Sequence, residues 1–125
     1  MREILFRAKC DNELWLEGIA FPHDRDKVTM FSQHPIDGSL VGIEVIPETV
    51  GQYTGLKDKN GKKIFEGDII EFYGDKIGAV VYNEEDTEYG MVLDGTNYCG
   101  LGHYYSSWNL EVIGNIHDNP ELLER

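Results

Sequence analysis

Short runs of β-branched and aromatic residues, cut by turn chemistry about every 8–12 residues, are what most constrain this chain. No stretch keeps the 3.6-residue apolar repeat that an amphipathic helix needs. Ile4–Lys9 alternates in the strand pattern, with Leu5 out of step. Asp11-Asn12 follows, both able to bond their own backbone and to tolerate left-handed geometry. Glu13–Phe21 reads as the return strand, with Trp15, Gly18 and Phe21 as its bulky or special positions, and Pro22-His23-Asp24 ends it. Lys27–Phe31, Leu40–Ile46 and Val50–Thr54 continue the series.

The second half repeats the logic. Lys57–Gly61 reads as an exposed turn in which Asn60-Gly61 supplies positive φ, and Glu66-Gly67-Asp68 as another, with Asp68 placed to accept backbone N–H bonds. Asp68–Tyr73 and Ile77–Tyr82 read as paired strands. Tyr89–Leu93 and Trp108–Gly114 follow, with Trp108, Leu110 and Val112 on one face of the latter. Only the tail looks helical, with Asn119 as N-cap and Pro120 in the first turn. The expected fold is all-β, a small barrel or roll with a short C-terminal helical turn.

Composition narrows function mainly by exclusion. The formal charge is −12, and between Lys76 and Arg125 there is no cation. A surface so acidic repels a phosphate backbone, so nucleic acid is not the expected partner. Lys57, Lys59, Lys62 and Lys63 form the one basic cluster and keep that alternative open. Glu84, Glu85, Asp86 and Glu88 form an acidic patch that reads as a solvated loop or, alternatively, as a mimic of nucleic-acid charge. No apolar run approaches the roughly 20 residues of a membrane span, and no apolar leader follows the amino terminus, so the expectation is a cytoplasmic protein with no membrane role. Cys10 and Cys99 read as reduced thiols.

Chemistry is sparse. His23, His34, His103 and His117 have no ligand or base partner at useful spacing, and Cys99 with His103 lacks the remaining ligands for zinc. Asp58–Gly61 lacks the further carboxylates of a calcium loop. The glycines from Gly95 to Gly102 have no lysine or helix to complete a phosphate cradle. The expectation is therefore no cofactor, no metal, no evident small-molecule substrate and no catalysis. Tyr104 and Tyr105, adjacent in sequence, must point to opposite faces of a strand, and an outward aromatic beside acidic residues suits a protein contact. Residues 54–68 read either as turn architecture or as part of a recognition loop whose contacts are Gln52, Tyr53, Thr54, Lys57 and Asp58, with Tyr53 its anchor.

Four blocks carry a resemblance. Met1–Ile4 with Phe6-Arg7, Asp11–Glu13 and Trp15 open the chain, followed by Val50–Gly61, Ile64–Ile70, and Glu111–His117 with Asn119–Leu122. In this order they resemble the YopX-like family of mainly phage- and prophage-encoded proteins. Ala8 and Cys10 stand where many relatives carry a glycine and a basic residue. Residues 23–45 and 84–107 match nothing specific. The resemblance implies an N-terminal β section, 1–49, and an SH3-like β barrel, 50–125, packed as one compact unit. It implies no catalytic residue, cofactor or substrate. The expected role is an accessory protein acting through protein contacts, a second copy of itself among the expected partners.

Overall fold

The structure is a computed structural model that describes residues 4–24, 26–33, 36–72, 76–84, 88–93, 97–100 and 110–124. The fold is all-β. Among the described residues eleven strands form antiparallel sheets, and the only helical pieces are short 3-10 turns. The chain divides into two compact units, Met1–Tyr53 and Thr54–Arg125.

In the first unit, β1 (Phe6–Lys9), β2 (Trp15–Asp24), β3 (Lys27–Gln33) and β4 (Leu40–Val45) run as an antiparallel meander. The start of β5 (Gly51–Lys57) pairs with the other edge of β1, Gly51 opposite Arg7 and Gln52 opposite Phe6. Cys10 then bridges Val45, and Ile46 N–H donates to the Lys9 carbonyl at 2.8 Å, so the end of β1 meets the end of β4 and the meander closes on itself. A 3-10 turn, Pro47–Thr49, secures the closure: Thr49 Oγ1 accepts from Lys9 N–H at 2.8 Å and donates to the Ile46 carbonyl at 2.7 Å. The enclosed core is Ala8, Cys10, Met30 and Val45, flanked by Phe6, Leu16, Ala20, Val28, Ile43 and Val50.

Two local expectations change here. The strand expected to end before Pro22 continues to Asp24, with Pro22 opposite Val28. Pairing with β1 stops at Gly18, and beyond it no described strand lies along that edge of β2, where a residue without an N–H is tolerated. In the β1–β2 turn the left-handed residue is Glu13, φ 68°, rather than Asp11 or Asn12. The Asn12 side chain instead accepts from the Cys10 thiol at 2.6 Å and from Leu14 N–H at 3.3 Å, which carries the bend one residue further.

The second unit holds the rest of β5, β6 (Lys63–Phe65), β7 (Asp68–Phe72), β8 (Lys76–Asn83), β9 (Glu88–Leu93), β10 (Asn97–Gly100) and β11 (Glu111–Asn115). β7 to β10 form a meander, and β11 adds to the outer edge of β7, giving the order β10-β9-β8-β7-β11. The β5–β6 hairpin fastens to the far side of β11, since Lys59 N–H donates to the Leu110 carbonyl at 2.9 Å. That connection folds the sheet back in the manner of a small open barrel around Ile64, Ile70, Val80, Met91 and Leu110. Leu110 and Val112 share the core face, as alternation predicts, whereas Trp108 lies outside the described residues. The tail is a 3-10 turn, Pro120–Glu124. Asn119 turns its side chain back to Asn115 N–H, at 3.3 Å.

Candidate functional site

The β5–β6 hairpin gathers most of the residues that the sequence singles out. Gly55, φ 90°, and Gly61, φ 81°, supply left-handed positions that a side chain would strain. Between them Asp58 is only 8% exposed, and both its carboxylate oxygens are engaged. Oδ1 accepts from the backbone N–H groups of Asn60 and Lys62, each at 2.9 Å, and Oδ2 from Val112 N–H at 3.0 Å. Thr54, 6% exposed, donates from Oγ1 to the Ile64 carbonyl at 2.7 Å and accepts from Leu56 N–H. Tyr53 is 5% exposed.

These positions correct the picture of an exposed recognition loop. Tyr53, Thr54 and Asp58 are buried, and the side chains of Thr54 and Asp58 hold backbone within their own unit. Tyr53 therefore presents no surface anchor. Gln52 is half-buried and Lys57 is exposed. Asp68 behaves as its place after Gly67 suggests: buried, it accepts from Phe65 N–H at 2.7 Å, and Gly67 takes φ 92°.

The lysines sit around the same hairpin tip, with Lys57, Lys59 and Lys62 exposed and Lys63 half-buried. Lys59 Nζ lies 3.4 Å from Glu111 Oε1, so part of the basic cluster is neutralised from β11. Of the acidic patch, Glu84 is exposed at the end of β8, and Glu88 opens β9 opposite Asn83. Glu85 and Asp86 lie outside the described residues, as do His34, His103, Tyr104 and Tyr105. His23 Nε2 lies 2.9 Å from Thr29 Oγ1 on the surface. Among the described residues no three His, Cys, Asp or Glu side chains come close enough together to hold a metal ion.

Sequence reasoning missed the outer face of the first unit. On β2 the small residues point inward, Ala20 packing against the core beside Leu16, while Ile19 and Phe21 are about half exposed, at 50% and 54%. The register sets Ile19 opposite Phe31 and Phe31 opposite Gly42, so these residues share one face. The Phe21 ring meets that of Phe31 edge-on at 5.5 Å. Further along, the Trp15 ring lies beneath the Arg7 guanidinium, 4.9 Å from its centroid, with Lys9 Nζ at 5.9 Å. Leu40, beside Gln33 at the far strand, is 71% exposed. The missed signal is size inversion along β2: the parity holding Gly18 and Ala20 is the inner one.

No helix among the described residues is long and apolar enough to cross a membrane. Among curated proteins none matches the chain. Among solved structures, a crystal structure of protein EF1440 from Enterococcus faecalis is similar, with a TM-score of 0.61 and 25% sequence identity. That likeness covers 98% of this chain and 99% of the other. The family model described as YopX protein matches residues 5–124, nearly the full length, and the chain belongs to the YopX family.

Proposed function

We propose that this chain is a non-enzymatic accessory protein of phage or prophage origin, working in the bacterial cytoplasm through protein–protein contacts, self-association included. The observation that carries the reading is the exposed apolar outer face of the first unit, with Ile19, Phe21 and Leu40 at the surface of a chain whose net charge is −12. Charge keeps such a protein dispersed, so a contiguous apolar face on it calls for a partner. Family membership supports the setting. A nucleic-acid role through Lys57, Lys59, Lys62 and Lys63 is the weaker reading, because Glu111 pairs with Lys59 at the hairpin tip.

The test is affinity capture of the tagged chain from host lysate, with and without nuclease. A stoichiometric protein partner, or the chain itself, retained after nuclease treatment is the expected result. Recovery of nuclease-sensitive material alone would overturn the reading in favour of the lysine cluster.

A further inference from the structure

We infer that Asn60-Gly61, at the tip of the β5–β6 hairpin, is a self-modification site held in check by the fold. The Asn60 amide deamidates through a succinimide when the turn opens, and the isoaspartyl product unfastens the hairpin from β11. This chemistry needs no partner and stands independently of the proposed function.

The reacting pair is set by the sequence. Asn60 is the only asparagine followed by a glycine. Succinimide closure is an attack of the next backbone nitrogen on the side-chain carbonyl carbon, and glycine, without a Cβ, lets that nitrogen approach. Base removes the Gly61 amide proton and the nitrogen bonds to Asn60 Cγ. The Cγ–Nδ2 bond breaks, and Nδ2 leaves as ammonia after taking up a proton. Water then opens the ring at one of its two carbonyls. Opening at the former side-chain carbonyl gives aspartate, whereas opening at the main-chain carbonyl gives isoaspartate, with the chain routed through Cβ and Cγ. Water is the only reagent consumed, and nothing is oxidised or reduced.

The turn supplies the restraint. Asn60 and Gly61 are both exposed, so water and base reach them. The Gly61 N–H, however, donates to the Asp58 carbonyl at 3.0 Å, and Asp58 N–H donates to the Lys62 carbonyl at 2.8 Å. Asp58 Oδ1 accepts from Asn60 N–H and Lys62 N–H, at 2.9 Å each, and so pins the chain on both sides of the reacting bond. An amide held in this way gives up its proton only when its hydrogen bond opens, the event that also limits hydrogen exchange. Both processes at Gly61 therefore slow by the same factor. Isoaspartate places one extra main-chain atom inside the ring that Gly61 N–H closes onto Asp58. The lengthened turn no longer presents Lys59 N–H to the Leu110 carbonyl, 2.9 Å away, or Asp58 Oδ2 to Val112 N–H, 3.0 Å away.

The experiment ages the full chain at mildly alkaline pH, with and without guanidinium chloride, and follows Asn60 by peptide-mapping mass spectrometry. The native chain should lose the Asn60 amide more than about tenfold more slowly than the unfolded one, and by about the protection factor of the Gly61 amide in hydrogen exchange. Asp58→Ala should narrow that gap in native buffer. Should this variant fail to fold, the comparison with and without denaturant still decides. The isoaspartyl chain, once purified, should lose protection at the Lys59 and Val112 amides, whereas Asn60→Asp, the ordinary product, should keep it. Equal rates with and without denaturant, or an Asn60 that survives in the unfolded chain, overturn the inference. So does an isoaspartyl chain whose Lys59 and Val112 amides stay protected.

Discussion

The carboxylate of Asp58 accepts a hydrogen bond from the backbone N–H of Val112, 54 positions further along the chain, while its other oxygen holds the turn in which it sits. One side chain thereby ties a local hairpin to the strand that completes the second unit's sheet.

Replacing it tests that tie. Asp58→Asn keeps one acceptor oxygen and should cost about 1–3 kcal/mol, and Asp58→Ala more, because buried N–H groups are left without acceptors. Urea unfolding of both variants checks the order. Equal and negligible losses would show that the turn holds without the carboxylate.

Gly18 offers a steric test. A Cβ built there would fall 2.1 Å from the Phe31 carbonyl oxygen, whereas one at Gly38 meets nothing within 4 Å. Gly18→Ala should therefore lower stability by more than about 2 kcal/mol, and Gly38→Ala by about 1, the latter from its positive φ of 73° alone. Thermal melts of the two variants side by side would reveal the difference, and equal melting temperatures would contradict the close approach of β2 and β3.

Thr49 links the closure of the first unit through its hydroxyl. Thr49→Val preserves shape but leaves Lys9 N–H without its 2.8 Å acceptor, at a cost of about 1–2 kcal/mol. Hydrogen exchange supplies the readout: the Lys9 amide should lose protection first. Unchanged protection would place its bond elsewhere.

At Asp37 the structure shifts the ionisation of a surface carboxyl. The Ser39 side chain and then its N–H, which donates to Oδ1 at 2.8 Å, favour the carboxylate and hold its pKa below the usual aspartate value. The sign follows: the contribution is present above the unfolded-state pKa and fades as pH falls through the folded one. NMR titration of the Asp37 carboxyl carbon should show the lowered midpoint, and Ser39→Ala should raise it. An unchanged midpoint in that variant would remove the Ser39 hydroxyl as a cause and leave its N–H.

Strand positions were largely legible because alternation and turn residues are local signals. β7 and β8 pair where the Val/Ile runs place them, and Gly61 and Gly67 turn where expected. What escaped depends on distant neighbours. Pro22 reads as a stop until β1 is seen to end opposite Gly18. Tyr53, Thr54 and Asp58 read as exposed because their companions are turn formers, and nothing near Asp58 announces Val112. On β2 size is a poor guide to burial: Ala20 packs inward while Phe21 stays half in water. The outer face of the first unit, which became the candidate contact surface, was hidden by that inversion.

The closure of the first unit also sets an order for its synthesis. The hairpins β2–β3 and β3–β4 join neighbours in sequence and can form as soon as they leave the ribosome. β1 emerges first, yet one of its edges finds its mates only at Val45, Ile46, Thr49, Gly51 and Gln52. The amino-terminal strand must therefore wait, bound on one side only, until some fifty residues are translated and threaded clear of the exit tunnel.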